Sequence, residues 1–262
     1  MPQQDQKAII YTSQKRSLYV GRLERTLRRV NVSSILMVSM EDELELINQP
    51  KSQNIHSKSL LIPAGMNFTI DTHNCNVAWC FLDDLGTDLK RLSPYMKEQI
   101  GVKSNHCYYD FQYETEMIDF ARFLTVSRPS TGEAFHQLEQ LIASLNPDSP
   151  IVTDTRVAKA IAVIKEHCDQ NLSVTEVAKQ VNLSVSRLMQ LFKQVTGSPI
   201  RRFRLWHRFF IVAARLTEGY SLTDAAIDAG FSDYAHFSRV YREFGGASAG
   251  AARVNTEIRV LS

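Results

Sequence analysis

Ser173-Val-Thr-Glu-Val-Ala-Lys-Gln-Val-Asn182-Leu-Ser184 returns 48 residues later as Ser221-Leu-Thr-Asp-Ala-Ala-Ile-Asp-Ala-Gly230-Phe-Ser232. Each copy opens on a serine with an acid three residues on (Glu176, Asp224), the signature of a capped helix start. Ala178 and Ala226 follow in mid-helix, small enough for a second helix to cross close by. Asn182 and Gly230 take the place where a helix-ending turn demands positive φ, which both residues tolerate better than most. Leu183 and Phe231 are placed to plug the corner. Beyond Ser184 and Ser232 a second amphipathic helix is expected. Leu188, Leu191 and Phe192 in one copy, and Phe237, Val240 and Tyr241 in the other, share the i, i+3, i+4 spacing at an offset of 49. A helix, a sharp turn and a second amphipathic helix outline the helix-turn-helix. Unrelated helical hairpins can share one capping box; two matched turns in one basic segment argue for a repeated device.

The charge distribution supports this reading. From residue 151 onward there are 15 Lys and Arg against 10 Asp and Glu, whereas the preceding part carries 15 against 18. Between Val177 and Thr217 stand Lys179, Arg187, Lys193, Arg201, Arg202, Arg204, Arg208 and Arg215, with no acid among them. A stretch of one sign draws polyanions through phosphate contacts and counterion release. The alternative is a solvated charged face.

At 262 residues the chain has length for two domains with real cores. Six short apolar runs (18–23, 34–39, 44–47, 60–63, 68–71 and 77–82) predict strands of an antiparallel sandwich or barrel over residues 8–90. From about residue 90 to 146 the pattern is helical. Met117, Phe120, Ala121 and Leu124 share one face, and so do Phe135, Leu138, Ile142 and Leu145. The turn-rich Asn146-Pro147-Asp148-Ser149-Pro150 marks the boundary between a domain of residues 1–150 and one of residues 151–262. The fold class expected is α+β: a β-barrel or jelly-roll domain with helices, then an all-α domain. No apolar run reaches the roughly 18 residues of a membrane span. The polar start and the four scattered cysteines point to a cytoplasmic protein with reduced thiols.

The C-terminal half resembles the AraC/XylS family of bacterial transcription regulators. The second unit, Gly230-Phe-Ser-Asp-Tyr-Ala-His-Phe-Ser-Arg-Val-Tyr-Arg-Glu-Phe-Gly245, follows that family's signature, as does Leu188-Met-Gln-Leu-Phe-Lys-Gln-Val-Thr-Gly197-Ser-Pro199 in the first. The segment from Pro199 through Arg208 to Leu216 matches the helix joining the two units. One departure stands out: Gly245-Gly-Ala-Ser-Ala-Gly-Ala-Ala-Arg253 lacks the family's proline and aromatic, which puts the packing of the last short helix in question.

In such a unit the second helix enters the major groove, and two units on successive grooves sit about 34 Å apart. The resemblance implies base reading by Ser186, Met189 and Gln190 in one helix and by Tyr234, Ala235, His236 and Arg239 in the other. Gln190 suits adenine, Met189 a thymine methyl and Arg239 a guanine. Arg239 has the alternative of pairing with an acid or binding phosphate only. Arg187, Lys193 and Arg242 are candidate phosphate contacts. Trp206 and Phe210 read as core rather than stacking platforms.

The resemblance also implies a cupin-like first domain that senses a small molecule or dimerises. Ser57-Lys-Ser-Leu-Leu-Ile-Pro63-Ala-Gly65-Met-Asn-Phe68 is similar to the second cupin motif. However, Phe68 stands at or near the place of the metal-binding histidine, and no His-x-His pair precedes it. A metal cupin enzyme is therefore not expected; nor is a cofactor, and no catalytic constellation is recognisable. His73, Cys75 and Cys80 invite a zinc set, but on a strand from Thr72 to Leu82 the two cysteines point to opposite faces, so buried strand cysteines are the better reading. Met37, Phe68, Trp79 and Phe81 are candidate lining of an effector pocket inside the barrel, with ordinary core as the alternative. The helix carrying Phe135 to Leu145 either forms a dimer contact or packs on its own barrel. The partners expected are double-stranded DNA, a small-molecule effector, a second copy of the chain, and RNA polymerase if the protein activates.

Overall fold

The computed structural model describes residues 7–23, 26–47, 54–102, 105–145, 154–245 and 248–261. The first part is built from β1 (Ala8–Thr12), β2 (Ser17–Arg22), β3 (Thr26–Val30), β4 (Ile35–Ser39), β5 (Leu44–Leu46), β6 (Ile55–Ser57), β7 (Ser59–Ile62), β8 (Asn67–Asp71) and β9 (Asn76–Phe81). The short α1 (Thr87–Leu92), a hairpin of β10 (Met96–Val102) and β11 (Asn105–Phe111), and helices α2 (Glu114–Ser127) and α3 (Thr131–Leu145) follow. The second part is helical: α4 (Thr155–Glu166), α5 (Val174–Gln180), α6 (Val185–Thr196), α7 (Ile200–Thr217), α8 (Leu222–Asp228), α9 (Tyr234–Gly245) and α10 (Ala249–Asn255). A last strand, β12 (Thr256–Val260), closes the order.

Two sheets form, in the orders β10-β11-β7-β4-β9-β2-β1-β12 and β3-β8-β5-β6. The middle of the large sheet is buried on both faces, and strand alternation sorts its side chains. Ile35 and Met37 of β4, Leu60 and Ile62 of β7, and Val77 and Trp79 of β9 point at the small sheet, where Leu44, Phe68 and Ile70 meet them. Leu36, Val38, Leu61, Ala78 and Cys80 point the other way, onto α2 and α3. Double-sided burial explains why β4 reads Ile-Leu-Met-Val-Ser with no polar alternation. Phe135, Leu138, Ile142 and Leu145 all lie in this second core, so the apolar face of α3 packs on its own domain.

The fold class is α+β, as the sequence implied, but two segments differ. Residues 96–102 and 105–111 pair as antiparallel strands where helix was expected. Their pattern contains little helical periodicity, and pairing of Tyr108 and Tyr109 with Leu61 and Leu60 of β7 decides the matter. Cys107 and Tyr109 face the small sheet, while Asp110, at φ 58°, breaks the alternation and turns Phe111 to the helical side. The expected linker 146–150 lies outside the described residues. The last strand, assigned by sequence to the helical domain, pairs in parallel with β1, from Ala8↔Thr256 to Thr12↔Val260.

Two cores occupy the helical part. Val157, Ile161, Val177, Leu188, Phe192, Ile200 and Phe203 form the first. Ala225, Ala226, Phe231, Phe237, Val240, Phe244 and Ala249 form the second. Helix α7 supplies both, Ile200 and Phe203 at one end and Phe209 and Val212 towards the other. The two units also touch directly. Arg208, 3 % exposed, donates through Nε to the Cys168 carbonyl at 3.0 Å and through Nη2 to Asn171, and lies over the Phe231 ring. Gly230, at φ 86°, sits so close that a Cβ there would run into the Asp169 carbonyl.

The first domain docks on both units. Gly65 and Gly197 meet backbone to backbone, and neither leaves room for a Cβ. Asp84 is buried between the domains. It accepts from Lys165 Nζ at 2.6 Å and from His207 Nε2 at 3.3 Å. Burial raises the Asp84 pKa, but His207 and Lys165 outweigh it and hold the carboxyl below its ordinary range. Burial holds the His207 imidazole below its ordinary value despite Asp84. Phe81 packs at a tilt against Trp206 with centroids 4.6 Å apart, and Val32 enters the core of the second unit.

Gly230→Ala should destabilise the protein by about 2 kcal/mol or more, since it adds left-handed strain to the clash with Asp169. Asn182→Gly, at φ 55°, should change stability by less than about 0.5 kcal/mol; urea titration of both variants checks the contrast. A His207 pKa below its unfolded value gives stability that is complete above that value, 6.5, and is lost as pH falls through the folded pKa. Thermal melts should therefore drop between about pH 7 and pH 5 more steeply for the native chain than for His207→Gln. Equal slopes would contradict a neutral buried His207.

Candidate nucleic-acid interface

Both units are started by side-chain caps. Ser173 Oγ accepts from the Glu176 amide while the Glu176 carboxylate accepts from the Ser173 amide, a complete capping box at α5. Ser221 Oγ accepts from the Asp224 amide at α8. The turns close at Asn182, φ 55°, and Gly230, φ 86°. The next helices are capped in turn. Ser184 Oγ accepts from the Arg187 amide ahead of α6, and Asp233 Oδ1 accepts from the His236 amide at 2.7 Å ahead of α9. Each cap fixes where its helix begins, and therefore which side chains face outward.

On α6, Leu188, Leu191 and Phe192 are buried, and Ser186, Arg187, Met189, Gln190 and Lys193 are exposed. Arg187 donates to Gln190 Oε1 at 3.0 Å, which orients that amide. Met189 is 49 % exposed. On α9, Phe237 and Val240 are buried, while Tyr234, Ala235, Arg239 and Arg242 are exposed. Arg239 and Arg242 have no ion pair among the described residues, and with Tyr234, Ala235 and Ser238 they line one shallow depression. His236 is only half exposed. Its Nδ1 lies 3.2 Å from Ser232 Oγ and its ring meets Phe231 edge-on.

The basic run proves to be divided. Lys179, Arg187, Lys193 and Arg201 are exposed. Arg202 pairs with Glu243, Arg204 holds the Leu172 carbonyl, Arg208 is buried, and Arg215 pairs with Glu218 and Asp228. About half of the positive charge on the sequence stretch therefore works inside the domain, tying loops to α7.

Met37 and Phe68 are buried between the two sheets. Trp79, part of the same core, and Phe81, packed against it, also line a cavity of about 500 Å³ between the domains, opposite Trp206, Phe209 and Phe210 of α7. Trp206, expected in the core, does pack against that of the second unit, and with Phe210 it also faces this cavity. Their helix already supplied an apolar face to each unit, and an aromatic surplus of this kind was the available sign of a further contact. The last helix, despite its unusual sequence, inserts Ala249 into the core of the second unit. The four cysteines are free and buried. Among the described residues no cluster of metal-ligating side chains occurs and no helix is long and apolar enough to cross a membrane.

Residues 177–255 match the profile of a helix-turn-helix domain family. The chain is 33 % identical over 135 residues to the arabinose operon regulatory protein of Escherichia coli (strain K12), covering 48 % of this chain and 46 % of that protein. It is 34 % identical over 92 residues to the HTH-type transcriptional activator RhaS of Klebsiella pneumoniae, covering 34 % and 32 %. The aligned part thus spans about half or less of these relatives. Two solved structures share the fold of the whole chain. ToxT from Vibrio cholerae O395 superposes with a TM-score of 0.55 at 15 % identity, over 92 % of this chain and 98 % of that one. Wild-type ToxT from the same species with a bound unsaturated fatty acid gives 0.52 at 12 %, over 89 % and 93 %. The paired capped units, the shared α7 and the profile match identify residues 177–255 as a helix-turn-helix domain, set behind a sheet-rich domain in a fold shared with ToxT.

Proposed function

We propose that the protein is a sequence-specific DNA-binding transcription regulator that reads two adjacent major grooves with α6 and α9. One observation carries this reading: two capped helices on one rigid connector each present an exposed row of base-competent and cationic side chains. In α6 the row is Ser186, Met189 and Gln190, flanked by Arg187 and Lys193; in α9 it is Tyr234, Ala235 and Arg239, flanked by Arg242. His236 has a smaller share, because Ser232 and Phe231 hold its ring. Base edges specify and phosphates position, so the two sets should fail differently when removed.

The first domain is proposed to sense an effector. A cavity of about 500 Å³ lies within the range of small-molecule sites, and its aromatic wall favours an apolar body. Lys7, Arg22 and Arg253 at its lining suit an acidic head group. The fatty acid bound by the ToxT neighbour has this chemistry. Dimerisation, and contact with RNA polymerase if the protein activates, complete the regulatory reading. A dimer through α3 would have to use its polar face, since the apolar one is covered.

Selection of DNA from a random pool by the purified protein should enrich a site with two reading patches about one helical turn apart. On that site Arg239→Ala should cost about 1–3 kcal/mol and relax preference at one base pair. Equal loss on every sequence would remove Arg239 from base reading. Lys193→Ala should weaken all sequences alike and reduce the slope of log affinity against log salt by about one. An unchanged slope would show that Lys193 touches no phosphate.

A further inference from the structure

We infer that β12 is a releasable tether that holds the second helix-turn-helix unit to the sensor sheet and restrains its fit to DNA. The inference rests on the DNA-binding reading and concerns how that binding is regulated. Three observations carry it.

The first is continuity. Ala249, 3 % exposed, belongs to the core of the second unit, and α10 ends at Asn255 where β12 begins at Thr256. No linker separates a residue wedged into the reading unit from a strand hydrogen-bonded into the sensor. The second unit cannot shift against the sheet without pulling on this pairing.

The second is how the strand is fastened. Five residues pair with β1 in parallel register, and the Leu261 amide donates to the Thr12 carbonyl at 2.8 Å. Arg259 donates through Nη1 to the carbonyls of Arg128 and Pro129 at 2.5 and 2.6 Å, lies over the Tyr11 ring, and pairs with Glu257. Glu257 also pairs with Arg128 at 2.9 Å. The fastening is specific, yet every residue of β12 is only half buried and the strand lies at a sheet edge. Unlike an interior strand, β12 contributes no residue to the packed core of either domain. Segments of this kind belong to the low-stability end of a structure.

The third is position. Asn255, Thr256 and Ile258 form one wall of the interdomain cavity, facing the aromatic residues of α7. Whatever fills or empties the cavity acts on the tether directly. The sensor also grips the first unit, through Gly65 against Gly197 and through Asp84. With β12 paired, the placement of both units is set by the sensor. A unit so held cannot also adjust to the groove, and affinity falls by the fraction of molecules in the unadjusted state.

A reversible lock tests this. Ile10 and Ile258 are register partners and both line the cavity, so their side chains share a side. Neighbouring strands lie about 4.8 Å apart, within disulfide range. The native thiols do not compete, since all four are buried and burial pushes Cys107 up to about 12 and Cys168 to about 11. The double variant Ile10→Cys/Ile258→Cys, oxidised, should bind the selected two-patch DNA at least tenfold more weakly than when reduced. A duplex with the second patch scrambled should be bound equally in both states. Equal or tighter binding of the two-patch DNA by the locked form would overturn the inference.

Amide exchange supplies a reading independent of DNA. In a chain truncated after Asn255, α8 and α9 should exchange faster than in the full chain, while α6 and β4 keep their protection. Unchanged exchange in α9, or equal loss in α6, would also overturn the tether. Absence of DNA binding in both redox states would instead overturn the proposed function, with exchange still deciding the mechanical claim.

Discussion

A single helix shared by two cores is the constraint on which the functional half depends. Helix α7 gives Ile200 and Phe203 to the first unit and Phe209 and Val212 to the second. Because interiors are close-packed, each end is held in rotation as well as position. Helices α6 and α9 are therefore related through one shared helix and not through a loop. Arg208 reinforces this by bridging from α7 to the loop at Cys168 and Asn171, against which the turn at Gly230 also packs. A positive charge that appears available to phosphate is used to join the units.

The helical half was legible because its signals are local. A serine cap, an acid three residues on, a φ-permissive turn residue and an i, i+3, i+4 stripe all act within a dozen residues. Ser173 with Glu176, Asn182, Gly230 and the burial of Leu188 and Phe237 are where the sequence puts them. The six strands read from apolar runs also form. The misses are non-local. The hairpin of β10 and β11 exists through pairing with β7, and β12 through pairing with a strand almost the whole chain away. Nothing within Thr256 to Val260 names its partner.

The candidate site divides in the same way. Exposure of Met189, Gln190 and Arg239 follows from helix phase, which the sequence sets. The hydrogen bond from Arg187 to Gln190, the hold on His236 by Ser232, and the internal use of Arg202, Arg204 and Arg208 depend on tertiary placement. The cavity between the domains was least visible of all. Its walls come from β1, β9, α7 and the last strand, elements that composition and periodicity assign to separate bodies.

The central claim is geometric: α6 and α9 address one face of a duplex together. Hydroxyl-radical footprinting of the purified protein on a selected site reads this directly. The account predicts two protected patches on the same face, separated by about one helical turn of DNA. A single patch, or two on opposite faces, would contradict it.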